Sequence, residues 1–190
     1  MKKLLSLAVF LVLTSSLFAQ TKWTVDPAHT FVNFSVKHLG ISFVKGNFKK
    51  FEGSYTSSKP DLSDINVSFS ADVTSINTGV DQRDGHLKSD DFFNAEKYSS
   101  IKFESTSFKK VKGNNYILTG KLTIRDVTKE VSFSVVYGGV TKDPWGNNRS
   151  GFTATTVVNR FDYNLKYDPT GTAVAKDVEL TLNLEFIQAK

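Results

Sequence analysis

Three histidines, His29, His38 and His86, occur in the 190-residue chain, and no cysteine accompanies them. Their spacing lacks the pairing of a helical zinc site, and without thiolates a metal centre would need two of them plus carboxylates gathered by folding. No metal is expected on that ground. His29 follows Asp26-Pro27-Ala28 at a strand entry, where it can hydrogen-bond a turn. His38 continues an apolar strand face toward a barrel mouth, where a ligand head group and a backbone carbonyl are alternative partners.

Asp81, Arg83, Asp84 and His86 are the best polar candidates for function, because they stand just ahead of Leu87 and the Phe92-Phe93 pair. An amphiphile needs a few convergent donors beside an apolar tunnel. An ion-paired loop, with Arg83 bridging to Asp81 or another carboxylate, explains the same residues equally well. Catalysis has less to draw on. The serines fall on polar strand faces without a nucleophile elbow, and Asp90-Asp91 are neighbours beside aromatics that suit a turn. Gly138-Gly139 reads as a turn, and no phosphate-cradling loop occurs. No catalytic residue is assigned, and the chain is read as a non-enzyme.

These side chains must be positioned by strands. Period-two alternation dominates: Val32, Phe34 and Val36 share one face, and Ile65, Val67, Phe69, Ala71 and Val73 another. It recurs through Tyr116 to Ile124, Val131 to Tyr137, Phe152 to Val158 and Val178 to Phe186. With Phe43 to Tyr55, where Gly46 and Gly53 suggest bends or bulges, and Ile101 to Phe108, eight strands are expected, and a short ninth around Trp23. Alternation stops between Gly79 and Tyr98, and a partly helical connection is expected near residues 80–98, with Asn94 capping a turn of helix through Ala95-Glu96-Lys97. The fold class is therefore all-β and antiparallel. An eight-stranded barrel removes exposed edges and is about wide enough to be filled by side chains or to hold one small ligand. Periodicity leaves filled and hollow open.

The first residues read as a leader: basic MKK, an apolar run from Leu4 to Leu13, and a polar stretch ending at Ala19. That run is shorter than the roughly 20 residues of a membrane span. Residues 1–19 are thus expected to be a cleaved signal peptide, with 20–190 a single domain. The lack of cysteine excludes a lipidated mature N-terminus, so no stable membrane anchor is expected. Net charge is a mild +5 with both signs interleaved. Lys109, Lys110 and Lys112 beside Gly113 suit a hairpin end, so no nucleic-acid partner is expected.

The sixteen phenylalanines supply the apolar interior. Phe34, Phe48, Phe69, Phe103, Phe133 and Phe152 fall on apolar strand faces, where each buries roughly 150–250 Å². Packed core and ligand-lined tunnel are both consistent with them. The candidate lining adds Val36, His38, Phe43, Leu122, Ile124, Val135 and Trp145 from the strands and turns. The connection adds Arg83, His86, Leu87, Phe92 and Phe93.

Five blocks in succession, DPAHTFVNFSVKHLGISFVKGNFKKFEG, INTGVDQRDGHLKSDDFFNAEKY, GKLTIRDVTKEV, KDPWGNNRSGF and NRFDYNL, resemble the YceI-like family of exported polyisoprenoid-binding proteins. The resemblance covers essentially all of residues 20–190. It implies a lipocalin-like barrel, usually dimeric and periplasmic, whose apolar pocket accommodates an isoprenoid or similar amphiphile. It favours tunnel over packed core. No cofactor is implied beyond a bound polyisoprenoid, isoprenoid quinone or fatty-acid-like lipid. An enzyme acting on a lipid-like substrate and a ligand-free structural or stress-response module are the rival readings. The chain departs from the pattern at Ser99 and Glu130, where proline is common, and at Tyr163-Asn164, where an aromatic-glycine pair is common. These are turn and strand-edge positions, and bear on local geometry.

Overall fold

The computed structural model describes residues 20–189; the expected leader lies outside the described residues. The strands are β1 Thr21–Val25, β2 Phe31–His38, β3 Ser42–Phe48, β4 Phe51–Ser57, β5 Asn66–Asp72 and β6 Ile76–Asn77. After helix α1, Asp81–Lys88, come β7 Ser100–Lys112, β8 Asn115–Ile124, β9 Val127–Lys142, β10 Asn148–Asn159 and β11 Val174–Gln188.

Every pairing is antiparallel, and the ring β1-β4-β5-β7-β8-β9-β10-β11 closes through β11 onto β1. The remaining strands are continuations of three ring members. β1 and β2 form one path that pairs with β11 along both halves, Trp23 opposite Gln188 and Phe34 opposite Leu180. β3 runs into β4 through Lys49-Lys50, and β5 into β6 through a 3₁₀ turn at Val73–Ser75. The barrel therefore has the eight expected strands, and Trp23 begins the first of them.

The breaks have local causes. Pro27 lacks an N–H and sits where β1 stops. The Asp72 carboxylate caps the 3₁₀ turn by accepting from the Thr74 N–H at 2.8 Å, and Ser75 accepts from Lys49 and Lys50 across the break.

Three expectations about glycine and turns are corrected. Gly46 and Gly53 mark no bulge: each faces a phenylalanine on the neighbouring strand, Phe34 and Phe69, whose ring lies where a Cβ would stand. Gly138-Gly139 is no turn, since β9 runs through it; the register slips there against Gly151-Phe152, and Gly139 takes φ +96° as glycine can. The connection near residues 80–98 is partly helical as expected, its helix being Asp81–Lys88, but the turn of helix capped by Asn94 is not there. Asn94 is left-handed at φ +50°, and its amide donates to Asp90 and caps nothing. Asn164 is left-handed too, at φ +61°, which is why asparagine can replace the glycine common there.

Strand direction gives the barrel two ends. One gathers the β1 start, the β4–β5 and β7–β8 connections and the Trp145 turn. The other gathers the β2–β3 tip, α1 with residues 89–99, the Arg125-Asp126 turn and residues 160–173.

Candidate functional site

The two halves of the interior are filled differently. Toward the Trp145 end, Tyr55 is only 1% exposed. It stacks on Trp23 at 5.6 Å and meets Phe152 and Phe186 edge-on at 5.6 and 5.0 Å. Tyr137 lies 4.9 Å from Phe152, and Val135 packs into the same cluster. Edge-to-face and offset contacts at these distances close that half as a solid aromatic plug.

Along β11 the filling gives out. Phe186 is 2% exposed inside the plug, whereas Leu180, Leu182 and Leu184, which also face inward, are half-buried. They face empty space. The cavity, partly open to solvent, has a volume of about 180 Å³, and its wall is almost wholly aliphatic and aromatic. β2 contributes Val32, Phe34 and Val36, and the opposite wall Phe69, Phe103, Leu122, Ile124 and Phe133. Phe48, Ala154 and Val158 are among the other strand residues on it, and Leu87, Phe92, Phe93 and Leu165 roof it. A wall with so few polar groups holds water poorly and favours an apolar guest.

The YceI-like domain pattern matches residues 23–186. The chain belongs to the YceI-like family. A UPF0312 protein of Photorhabdus laumondii is 37% identical over 183 residues, covering 96% of this chain and 94% of that protein. A crystal structure of the Campylobacter jejuni YCEI protein is similar at TM-score 0.73 and 30% identity, over 81% of this chain and 90% of that one. A polyisoprenoid binding domain from Saccharophagus degradans shares the fold at TM-score 0.70 and 15% identity, over 88% and 98% of the two chains.

In this YceI-like barrel, eleven of the residues singled out in the sequence lie on the cavity wall: Phe34, Val36, Phe48, Phe69, Leu87, Phe92, Phe93, Phe103, Leu122, Ile124 and Phe133. Others lie elsewhere. Val135 and Phe152 belong to the plug, nearer the other end of their strands. Trp145 is 80% exposed in the turn at the plug end, held by a backbone bond to Asp143. Phe43 is 60% exposed, because its partner on β2 is the outward-facing Lys37. His38 ends β2 opposite Val174 and Ser42, and the cavity wall does not include it.

The polar group before Phe92 fastens the roof. Asp84 is buried and accepts from the Thr78 N–H at 2.8 Å and the Thr78 hydroxyl at 2.6 Å. Arg83 donates to Thr78 Oγ1 and to its carbonyl, and has no carboxylate partner among the described residues. This anchors α1 to the end of β6 without offering donors to the cavity. His86 meets Asp91 at 2.9 Å and packs edge-on against Phe92 and Tyr167, at 5.0 and 4.8 Å. α1 and the 160–173 segment thus meet through a His86–Phe92–Tyr167 clasp.

Two arginines that sequence reasoning passed over hold the same roof. Arg160, 5% exposed, spends its Nε, Nη1 and Nη2 donors on the carbonyls of Ala175, Leu165, Tyr167, Asp168 and Val174. Burial lowers the pKa of this guanidinium, and the nearby Asp168 opposes that shift. Arg125 donates to the carbonyls of Asp90, Phe92 and Asn164, tying one lid segment to the other. Both lie in the quoted family blocks, but nothing in their spacing announces a shared partner.

At the opposite end Asp26, His29 and Glu185 bring three ligand atoms within 4.8 Å of one another. A cation is already there: Arg149 Nη1 lies 2.6 Å from Asp26 and 2.5 Å from Glu185, and its Nε 2.7 Å from Asp143. His29 bonds Asp26 at 2.7 Å across the turn, as its position suggested. Burial would raise the Asp26 carboxyl, but the bonds from His29 and Arg149 outweigh it and hold it below the ordinary 3.8.

Proposed function

We propose that this YceI-like protein is an exported, non-enzymatic carrier or store for a long-chain apolar lipid: a polyisoprenoid, an isoprenoid quinone or a fatty-acid-like chain. The observation that carries the reading is the division of the interior, with inward leucines of β11 left facing an apolar cavity while the same strand ends in solid packing. Each buried methylene-sized unit stabilises a bound chain by roughly 0.8 kcal/mol, so affinity needs few polar contacts. The charged residues bordering the cavity support binding over catalysis. Lys102 is exposed, and Arg160 has committed its donors to backbone carbonyls. The named relative from Saccharophagus degradans supports an isoprenoid among these ligands.

At about 180 Å³ the free space is below the roughly 300–1,000 Å³ of ordinary small-molecule sites. A long chain therefore enters by turning the rings and branches that line the half-empty end, chiefly Phe34, Phe93 and Leu87. The reading places the working protein in the periplasm after loss of residues 1–19, as a homodimer. Titration with a fluorescent polyunsaturated fatty acid tests the cavity: saturable uptake at one probe per barrel, competed by a polyprenol, is expected. Uptake that does not saturate, or survives filling of the cavity by Ala154→Phe, contradicts it.

A further inference from the structure

The β2–β3 hairpin ends in a turn whose residues contradict ordinary turn chemistry. Leu39 and Gly40 take φ +50° and +72° in the three-residue loop between the paired His38 and Ser42, left-handed positions that favour asparagine and glycine. A bulky leucine at positive φ is strained, and a polar residue would both relieve the strain and suit the solvent. Here the tip is apolar instead: Leu39 is 55% exposed, Ile41 86% and Phe43 60%. The tip is also held, with the Leu39 N–H donating to the Ala173 carbonyl at 2.9 Å and the Ile41 N–H to that of His38 at 3.1 Å.

The hairpin behind the tip carries only positive charge. Between Asp26 and Glu52 the chain has no carboxylate and carries Lys37, Lys45, Lys49 and Lys50. Lys37 and Lys45 are exposed on the outer face of the hairpin and form no ion pair among the described residues. On β11, Glu179 is a strand away from Lys45, across Ser35, whereas Asp177 stands on the strand directly beside Lys37 without an ion pair to it. The arm is also continuous with the cavity, since Val36 lines it three residues before Leu39 and Val174 lines it opposite His38.

We propose that this hairpin tip docks the cavity end of the barrel onto an anionic phospholipid surface. Leu39, Ile41 and Phe43 enter the boundary between head groups and acyl chains, and Lys37 and Lys45, set back from the tip, meet the phosphates. The inference extends the carrier reading by naming the surface at which a lipid is exchanged, yet it is measured without any lipid transfer.

The test is flotation of the purified protein with vesicles of phosphatidylcholine containing about 30% phosphatidylglycerol. The wild type is expected to float with them at low salt and to lose this with pure phosphatidylcholine. Ile41→Asp lowers the bound fraction about tenfold or more, the factor that burying one large aliphatic side chain is worth. Leu39→Asn, which suits the turn, weakens flotation while its melting temperature stays equal or rises; this separates docking from folding. Lys37→Glu with Lys45→Glu removes the preference for anionic vesicles. A wild type that never floats, or tip variants that float equally, overturns the proposal. So does a tip variant that turns a dimer into a monomer while the wild type ignores vesicles, because the tip then seats a second copy. A protein that floats yet never holds an apolar guest overturns the carrier reading and leaves the docking surface standing.

Discussion

The Tyr55 hydroxyl lies 2.7 Å from the Ser150 hydroxyl, sharing a hydrogen bond where both residues are 1% exposed, inside the aromatic plug beneath the cavity. Burial pushes the Tyr55 phenol well above its ordinary pKa, so the bond is between neutral groups throughout the working range. Tyr163 is the counterexample: its hydroxyl is buried without a partner, and burial pushes it up to about 12. Removing one partner of a buried bond leaves the other unpaired at roughly 1–3 kcal/mol, whereas removing an unpaired hydroxyl costs nothing. Urea melts should therefore show Tyr55→Phe destabilised by about 1–3 kcal/mol and Tyr163→Phe unchanged or more stable. Equal losses in the two variants would refute this account of the core.

Acid should act through the Arg149 knot. Asp26 is held below its ordinary 3.8 as described, and Asp143 likewise, burial there being outweighed by bonds from Arg149 and Asn147. Lowered carboxylates contribute stability that is complete above their unfolded value and disappears as pH falls through the folded value. Thermal melts should be flat toward neutral pH and decline below about pH 4. Arg149→Met should lower the melting temperature most at neutral pH, with the difference from wild type shrinking as acid neutralises the carboxylates. A deficit independent of pH would show that Arg149 acts by packing.

Gly53 is a seat for an aromatic ring. A methyl group there would overlap the Phe69 ring, which stacks on Phe51 at 5.8 Å and also lines the cavity. Overpacking of this kind costs about 1–3 kcal/mol, so Gly53→Ala should fold with a shifted urea midpoint. Pairing it with Phe69→Leu, which vacates the seat, should recover part of the loss; an additive double variant would contradict the contact.

The fold was largely legible because its signals are local and periodic. All six alternating segments, and the two segments added to them, became strands, and breaks among the first of them follow from Pro27 and the Asp72 cap. What escaped depends on distance along the strand rather than on face. Phe152 and Phe133 share the inward orientation, yet one meets Tyr55 and the other the cavity, because alternation assigns a side and not a depth. Arg125 and Arg160 were illegible for a different reason. Apart from the Asp90 carboxylate, which takes Arg125 Nη2, their partners are backbone carbonyls, 33 to 39 residues away for Arg125 and 5 to 15 for Arg160, and a carbonyl leaves no residue-type signature. The acidic and basic residues before Phe92 were legible as a group, and their role as roof fastenings required knowing that Thr78 receives them.

The clasp between α1 and the 160–173 segment should set the rate of guest exchange. Tyr167 touches His86 and Phe92 at ring distances of 4.8 and 4.9 Å while 42% exposed, so removing it opens the roof without emptying the core. Two aromatic contacts worth roughly 0.5–1.5 kcal/mol each correspond to about tenfold faster release of a bound fluorescent fatty acid from Tyr167→Ala. An unchanged release rate would place the exit elsewhere.

The central claim is that the empty half of the barrel holds an apolar chain, and native mass spectrometry of the freshly purified protein measures it most directly. The account predicts one long-chain lipid per barrel, recovered by organic extraction and absent from Ala154→Phe, which fills the cavity. A wild-type barrel that is repeatedly empty and takes up neither polyprenol nor fatty acid would contradict it.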